Sequence, residues 1–172
     1  MVSRYFFWKQ WGALRGGGCG ILHLMMWTLA HIGNRLPAND PFEVLTQTWL
    51  KRIGTFAEAE TAAYRSEADF WGATAGGKGR RAVVVLLDSR GKQMSSEEFA
   101  GWLGGRRDEG VRQVVFAIGP ASGWPAESRT KANLLLSLGP MTMAHALARA
   151  VLAEQLYRAF TILSGHPYHT GH

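Results

Sequence analysis

Residues 82–103 read AVVVLLDSRGKQMSSEEFAGWL, and the fold class turns on this stretch. Positions 82–87 are apolar without a break, the pattern of a strand buried on both faces, as in a parallel sheet. Ser95 or Ser96, followed by Glu98, predicts a helix whose first-turn amides are capped by a serine hydroxyl. The same alternation continues downstream. VRQVVFAIG at 111–119 is a second buried strand ending in glycine, PAESRTKA at 125–132 a short helix, and NLLLSLG at 133–139 a third buried strand. A closing helix is expected from Thr142 to about Ser164, burying Leu147, Val151, Leu156 and Phe160. Strands alternating with helices predict an α/β fold with a mostly parallel sheet.

Upstream, MWTLAHIG at 26–33 reads as the first strand, and the GNRLPANDP loop leads to Asp40, an N-cap, with Pro41 at the first helical position. AEAETAAYRSEADFWGA at 57–73 is rich in Ala and Glu, and predicts a second helix before the break at GGKGRR. The segment before Met26 imitates a secretory signal, with Arg4, Lys9 and Arg15 preceding ILHLMMWTLA. That apolar run is about half of the ~20 residues a membrane span needs. Residues 1–25 are therefore expected to be an extension, either untranslated, since Met25 and Met26 can both serve as starts, or disordered. Residues 26–172 are expected to be a single domain.

The chain has 172 residues, with 19 Lys and Arg against 13 Asp and Glu, a formal charge of +6 that favours polyanions. No run of like charges marks a basic arm, so a nucleic-acid surface has to be assembled by folding. Cys19 is the sole cysteine, which excludes an intrachain disulfide and a cysteine-based zinc site and fits a reducing compartment, the cytoplasm.

Several familiar sites are absent. GATAGGKG at 72–79 has phosphate-loop spacing through Lys78, but Gly79 stands where Ser or Thr would bind magnesium, and the segment precedes a strand instead of following one. No G-x-G-x-x-G follows a strand, and no G-x-S-x-G elbow occurs. His166, His169 and His172 form a terminal cluster without a nearby carboxylate or cysteine, so no metal is expected. What remains is a set of strand ends: LLDSRGK at 86–92, AIGPASG at 117–123 and LSLGPMTMAH at 136–145. In a parallel sheet these lie on one edge, where open α/β folds bind ligands, and the glycines permit close approach of backbone.

Taken together, VVLLDSRGKQMSSEEFA, FAIGPASG, SLGPMTMAH and LARAVLAEQLYRAFTILSGHPYH resemble the SPOUT-class methyltransferases that methylate N3 of a pseudouridine in large-subunit ribosomal RNA. The resemblance runs from about Met26 to His169. It implies a trefoil-knotted α/β fold, with knot and cofactor site within about 83–172, a homodimer, and S-adenosylmethionine as cofactor. By the same resemblance Leu87, Gly119, Leu138, Gly139, Pro140, Met141, Thr142 and Met143 hold the cofactor. His145, Arg149, Tyr168 and His169 are the catalytic candidates, with Lys92 and Arg158 touching RNA phosphates. The implied reaction is methylation of the helix 69 loop of 23S rRNA on assembled ribosomes. His169 is the candidate proton acceptor, although His145 and solvent stay open for that role. The chain departs from the family pattern at Pro120, where a second glycine is usual, and at Thr170, where Lys or Arg is usual. Two alternatives therefore stand beside the enzyme: an RNA-binding homologue without activity, and a methyltransferase with another RNA target.

Overall fold

A computed structural model describes residues 25–75 and 82–169. Residues 1–24 with Cys19, residues 76–81 with Lys78, and residues 170–172 with Thr170 and His172 lie outside the described residues. The elements run β1 (Met26–Ile32), α1 (Pro41–Ile53), β2 (Glu58–Tyr64), α2 (Glu67–Ala75), β3 (Val83–Gln93), α3 (Ser96–Asp108), β4 (Gln113–Ile118), α4 (Ala126–Lys131), β5 (Leu134–Ser137) and α5 (His145–Leu163), then a 3-10 turn at Pro167–His169. The five strands form one sheet in the order β2-β1-β4-β3-β5, with every pairing parallel.

Local chemistry sets the helix starts. The Asp40 carboxylate accepts from the Phe42 and Glu43 amides at 2.9 and 3.2 Å, and Pro41 follows it. Ser95 closes a reciprocal box with Glu98, whose carboxylate accepts from the Ser95 amide at 2.8 Å. The unbroken apolar strands lie at the centre of the sheet, as their composition requires. One face, with Trp27, Leu29, Val85, Val114 and Phe116, packs against Leu50 and Ile53 of α1, Phe99 and Leu103 of α3, and Leu152, Leu156 and Phe160 of α5. The other, with Ala30, Val84, Leu86, Val115 and Ala117, packs against Phe70 of α2 and Trp124. Met25, grouped with the extension on sequence grounds, is buried in the first of these clusters.

Three expectations need correction. Residues 57–73 are not one helix: Glu58–Tyr64 is an edge strand paired with β1 from Met26↔Glu58 to Ile32↔Tyr64. Pairing along β1 overrides the helix propensity of Ala and Glu, and glutamates on an edge strand discourage further pairing. The last helix begins at His145 instead of Thr142: the chain from Leu138 to Ala144 is irregular, with Gly139 at φ +131 and Ala144 non-helical at ψ 139. Its buried stripe is Ala148, Leu152, Leu156, Ala159 and Phe160, while Leu147 is 37% exposed and Val151 half-buried.

The pairing of β3 with β5 positions the site. Leu136 lies opposite both Leu87 and Lys92, so Asp88–Gly91 bulge out between two segments that each pair with β5. At the end of that bulge Gly91 crosses the β5 backbone, where a Cβ would lie 2.6 Å from the carbonyl carbon and oxygen of Leu135. Backbone cannot yield as a flexible side chain would. Gly91→Ala should lower stability by about 3 kcal/mol or more, a drop in Tm of roughly 10 °C. Gly101→Ala, on α3 with nothing within 4 Å of a built Cβ, should leave Tm unchanged or slightly raised. Thermal melts of the two variants check the pair.

Candidate active site

Three segments converge at the C-terminal edge of the sheet: the bulge after Leu87, the turn after Ile118, and the irregular chain from Leu138 to Ala144. Between them lies a cavity of about 300 Å³. Its lining includes Leu87, Gly119, Leu138, Gly139, Met141, Thr142, Met143 and His145, together with Asp88, Pro120, Trp124 and Ala148. Pro140 is not among the lining residues. The walls combine apolar side chains and backbone with the polar Asp88, Ser89, Arg90, Thr142 and His145, and Gly139 holds a positive φ that favours glycine. The turn at Pro120 closes by a bond from the Gly123 amide to the Pro120 carbonyl at 2.8 Å. Gly119 has to be glycine for packing alone, since a Cβ there would meet the Trp124 ring at 2.9 Å.

Charge enters the cavity through Asp88, whose side chain is 5% exposed. Its carboxylate accepts from the Arg90 amide at 3.0 Å, pairs with the Arg90 guanidinium at 3.1 Å and faces that of Arg129 at 3.7 Å. Burial pushes the Asp88 carboxyl up, but the Arg90 amide and guanidinium, with Arg129, outweigh it and hold the group below the usual carboxylate range.

The four catalytic candidates do not meet within one chain. His145 is on the cavity wall. Arg149, one turn further along α5, is 4% exposed and does not line the cavity; it pairs with Glu43 of α1. Tyr168 and His169 lie near the opposite end of α5. The Tyr168 ring packs on Tyr157 with centroids 4.9 Å apart, and Tyr157 is about 18 Å along the axis from His145 at ~1.5 Å per residue. There the Tyr168 hydroxyl donates to Glu154 at 3.1 Å, and burial, helped by that carboxylate, raises its pKa. Arg158 is held by Glu154 at 2.7 Å, with its guanidinium 5.0 Å from the centre of the Tyr168 ring. Its charge is therefore compensated by Glu154 within the chain. Lys92 is exposed on β3 beside Leu136. The Nδ1 of His169 lies 2.8 Å from the His166 carbonyl, which only accepts, so Nδ1 is the donor of that contact.

Sequence reasoning missed His31 and Glu43. His31, on β1, is 7% exposed; its Nε2 is 3.1 Å from the Asn34 carbonyl and 3.5 Å from the Arg149 guanidinium. Neither neighbour announces the contact locally, because Arg149 is separated from Glu43 by 106 positions and from His31 by 118. Among the described residues no group of three His, Cys, Asp or Glu side chains could hold a metal ion, and no helix is long and apolar enough to cross a membrane.

A parallel sheet whose strand-end loops enclose a mostly apolar cavity, with one histidine and one carboxylate on its wall, is the architecture of an α/β enzyme that binds a small cofactor. Residues 25–169 match the family described as "Predicted SPOUT methyltransferase", and the chain belongs to that family. It is similar to proteins named Ribosomal RNA large subunit methyltransferase H. The one from Koribacter versatilis is 49% identical over 136 residues, 76% of this chain and 89% of the relative. The one from Maricaulis maris is 46% identical over 119 residues, 68% of this chain and 76% of the relative. The match to the one from Allorhizobium ampelinum, 55% identical, spans about half of each chain, 51% and 54%.

His31 makes stability depend on pH. Burial lowers its pKa from the usual value, and the nearby Arg149 charge adds to this, against the opposing effects of the Asn34 carbonyl and Glu43. The unfolded chain therefore takes up this proton at a higher pH than the folded one. The contribution is intact above the unfolded pKa of about 6.5 and is lost as pH falls below it. Tm should decline from pH 7.5 to 5.5, and His31→Gln should flatten that decline, as read by calorimetric melts across the window.

Proposed function

We propose that the chain methylates N3 of a pseudouridine in large-subunit ribosomal RNA, using S-adenosylmethionine bound in the strand-end cavity. The observation that carries this reading is the cavity itself, bounded by the loops expected to hold the cofactor, with His145 on its wall, in a chain of the SPOUT methyltransferase family. The relatives' name supplies ribosomal RNA as the substrate class. The helix 69 loop of 23S rRNA on assembled ribosomes, the trefoil knot and the homodimer are the finer parts of the proposal.

The residues present fit the cofactor. Leu87, Ile118, Leu138 and Ala148 provide apolar surface for an adenine, and the loops around Gly119 and Gly139 present backbone at close range. Asp88, already paired with Arg90 and Arg129, fixes the bulge that forms one wall of the cavity. When bound, S-adenosylmethionine supplies an electrophilic methyl group on a sulfonium sulfur. The protein has to exclude water, align the N3 nucleophile and remove its proton. His169, whose Nδ1 is turned to the His166 carbonyl, is the candidate to accept that proton through Nε2, with His145 and solvent as alternatives. In this reading Tyr168, anchored on Glu154, orients the base, and Arg158 and Lys92 touch the RNA backbone.

Because His145 and His169 stand at opposite ends of α5, one chain cannot supply both to a single base, and the site is completed by a second copy. Exposed Leu147 on α5, with Phe42, Val44 and Leu45 on α1, offers apolar surface for that contact. Pro120 favours one rival reading, an RNA-binding homologue without activity, because proline removes an amide from the cavity loop.

Calorimetric titration with S-adenosylmethionine decides between the two: saturable binding is expected, and a folded dimer that fails to bind would transfer the proposal to the inactive homologue. On ribosomes from a strain lacking the protein, methylation should appear at a single pseudouridine. His169→Ala should slow it by about a hundredfold or more. Mixing His145→Ala with His169→Ala chains should restore activity that neither has alone, through mixed dimers in which one site is intact. Full activity of His169→Ala would remove that residue from the reaction.

A further inference from the structure

The buried charges between α1 and α5 are unused by the reaction as described. Arg149 enters this space from α5 and pairs with Glu43 of α1. Glu43 is oriented from both sides: its amide is held by the Asp40 cap at 3.2 Å, and its other carboxylate oxygen accepts from Gln47 at 2.8 Å. His31 closes the remaining side of the guanidinium from the end of β1. The Asn34 carbonyl only accepts, so Nε2 of His31 carries a proton turned to it and packs beside the guanidinium without accepting from it, and burial favours the neutral ring. Nδ1 is then a buried lone pair with no hydrogen-bond partner among the described residues. On the flanking strands Ala63 and Ile118 stand beside His31 and bring no charge. The ionisable groups facing it are thus Arg149, Glu43 and His145.

The place of this cluster matters because α5 starts without support of its own. Ala144 is the N-cap and offers no side-chain hydrogen bond, so the first-turn amides have no capping side chain. The first residue of that unsupported turn is His145, on the cavity wall. One turn later comes Arg149, held by a charge-assisted bond to a different helix.

We propose that Glu43 and His31 are positioning residues of the methyl-transfer site: they clamp the Arg149 guanidinium between α1 and α5 and thereby set the first turn of α5, which carries His145 onto the cavity wall. This rests on the reading of the cavity as a methyltransferase site. A neutral His31 is part of the clamp, because a protonated ring would oppose Arg149 and compete with it for Glu43.

The test uses the full chain with Glu43→Gln and, separately, His31→Gln. Glu43→Gln should bind S-adenosylmethionine within about threefold of wild type, since cavity loops hold the cofactor, while kcat on ribosomes falls roughly tenfold from misplacement of the first turn. His31→Gln should remove the acid-side loss of kcat that His31 protonation causes, a pH effect that general weakening of the fold would not move. The ring resonances of His145 should shift in both variants, a readout needing no turnover. If folded Glu43→Gln keeps wild-type kcat, or if His145 resonances are unchanged in both variants, the positioning role is overturned. Should Glu43→Gln fail to fold, His31→Gln alone decides by the same two readouts. Absence of methyl transfer by wild type would sink the reading of the cavity, while the His145 resonances would still report on the clamp.

Discussion

The crossing of Gly91 over the backbone of β5 is the constraint on which the cavity depends. Pairing of β5 with β3 on both sides of the Asp88–Gly91 bulge leaves that bulge no path except past the C-terminal edge of the sheet. Asp88 is thereby brought to the same edge as Gly119 and the Leu138–Ala144 segment. A side chain at position 91 would have to displace the Leu135 carbonyl, which moves one of the two paired segments and opens the wall that Leu87 and Leu136 share. Stability and ligand geometry are therefore tied at one position, where a single missing Cβ lets two stretches of backbone touch.

A second constraint is the treatment of charge along α5. The helix carries Arg149 into the interior and Arg158 to a half-buried site, and each is matched by a carboxylate, Glu43 and Glu154 respectively. An unmatched guanidinium in either place would cost several kcal/mol, roughly the range found for breaking a buried pair. The two pairs serve different ends of the molecule. Glu154 draws Arg158, Tyr168 and Gln155 into one network beside Trp49 and Tyr157, an aromatic surface with guanidinium groups over it. Glu43 joins α5 to α1 near the cavity. The same helix thus carries an aromatic surface with guanidinium groups at one end and lines the cavity at the other.

Much of the fold was legible in the sequence because its signals are local. Unbroken apolar runs identified β3, β4 and β5, Asp40 marked one helix start to the residue, and the serine pair at 95 and 96 marked another to within one. β2 was not legible, since EAETAAY has the composition of a helix and becomes a strand only because β1 lies alongside. The cavity loops were readable from glycines at strand ends, and seven of the eight expected cofactor positions line the cavity. Partnership was not readable. Arg149 lies among alanines at helical spacing to His145, which suggests a shared outward face, and only the packing of α1 turns it inward to Glu43.

The apolar side chains left uncovered bring these points together. With Ala148, Ala150, Ala153 and Ala159 among its buried residues, α5 approaches its neighbours α1 and α3 closely. Its bulkier Leu147 is left over on the outside, as Phe42, Val44 and Leu45 are on α1 and Met141 is at the cavity mouth. A single chain has no internal use for large apolar groups in water, and their exposure weakens hydrophobic stabilisation by about 25 cal/mol for each Å² left uncovered. Covering them with a second copy would answer the separation of His145 from His169 as well. The geometry of α5 that divides the catalytic groups within a chain is thus also what leaves the surface through which two chains could reunite them.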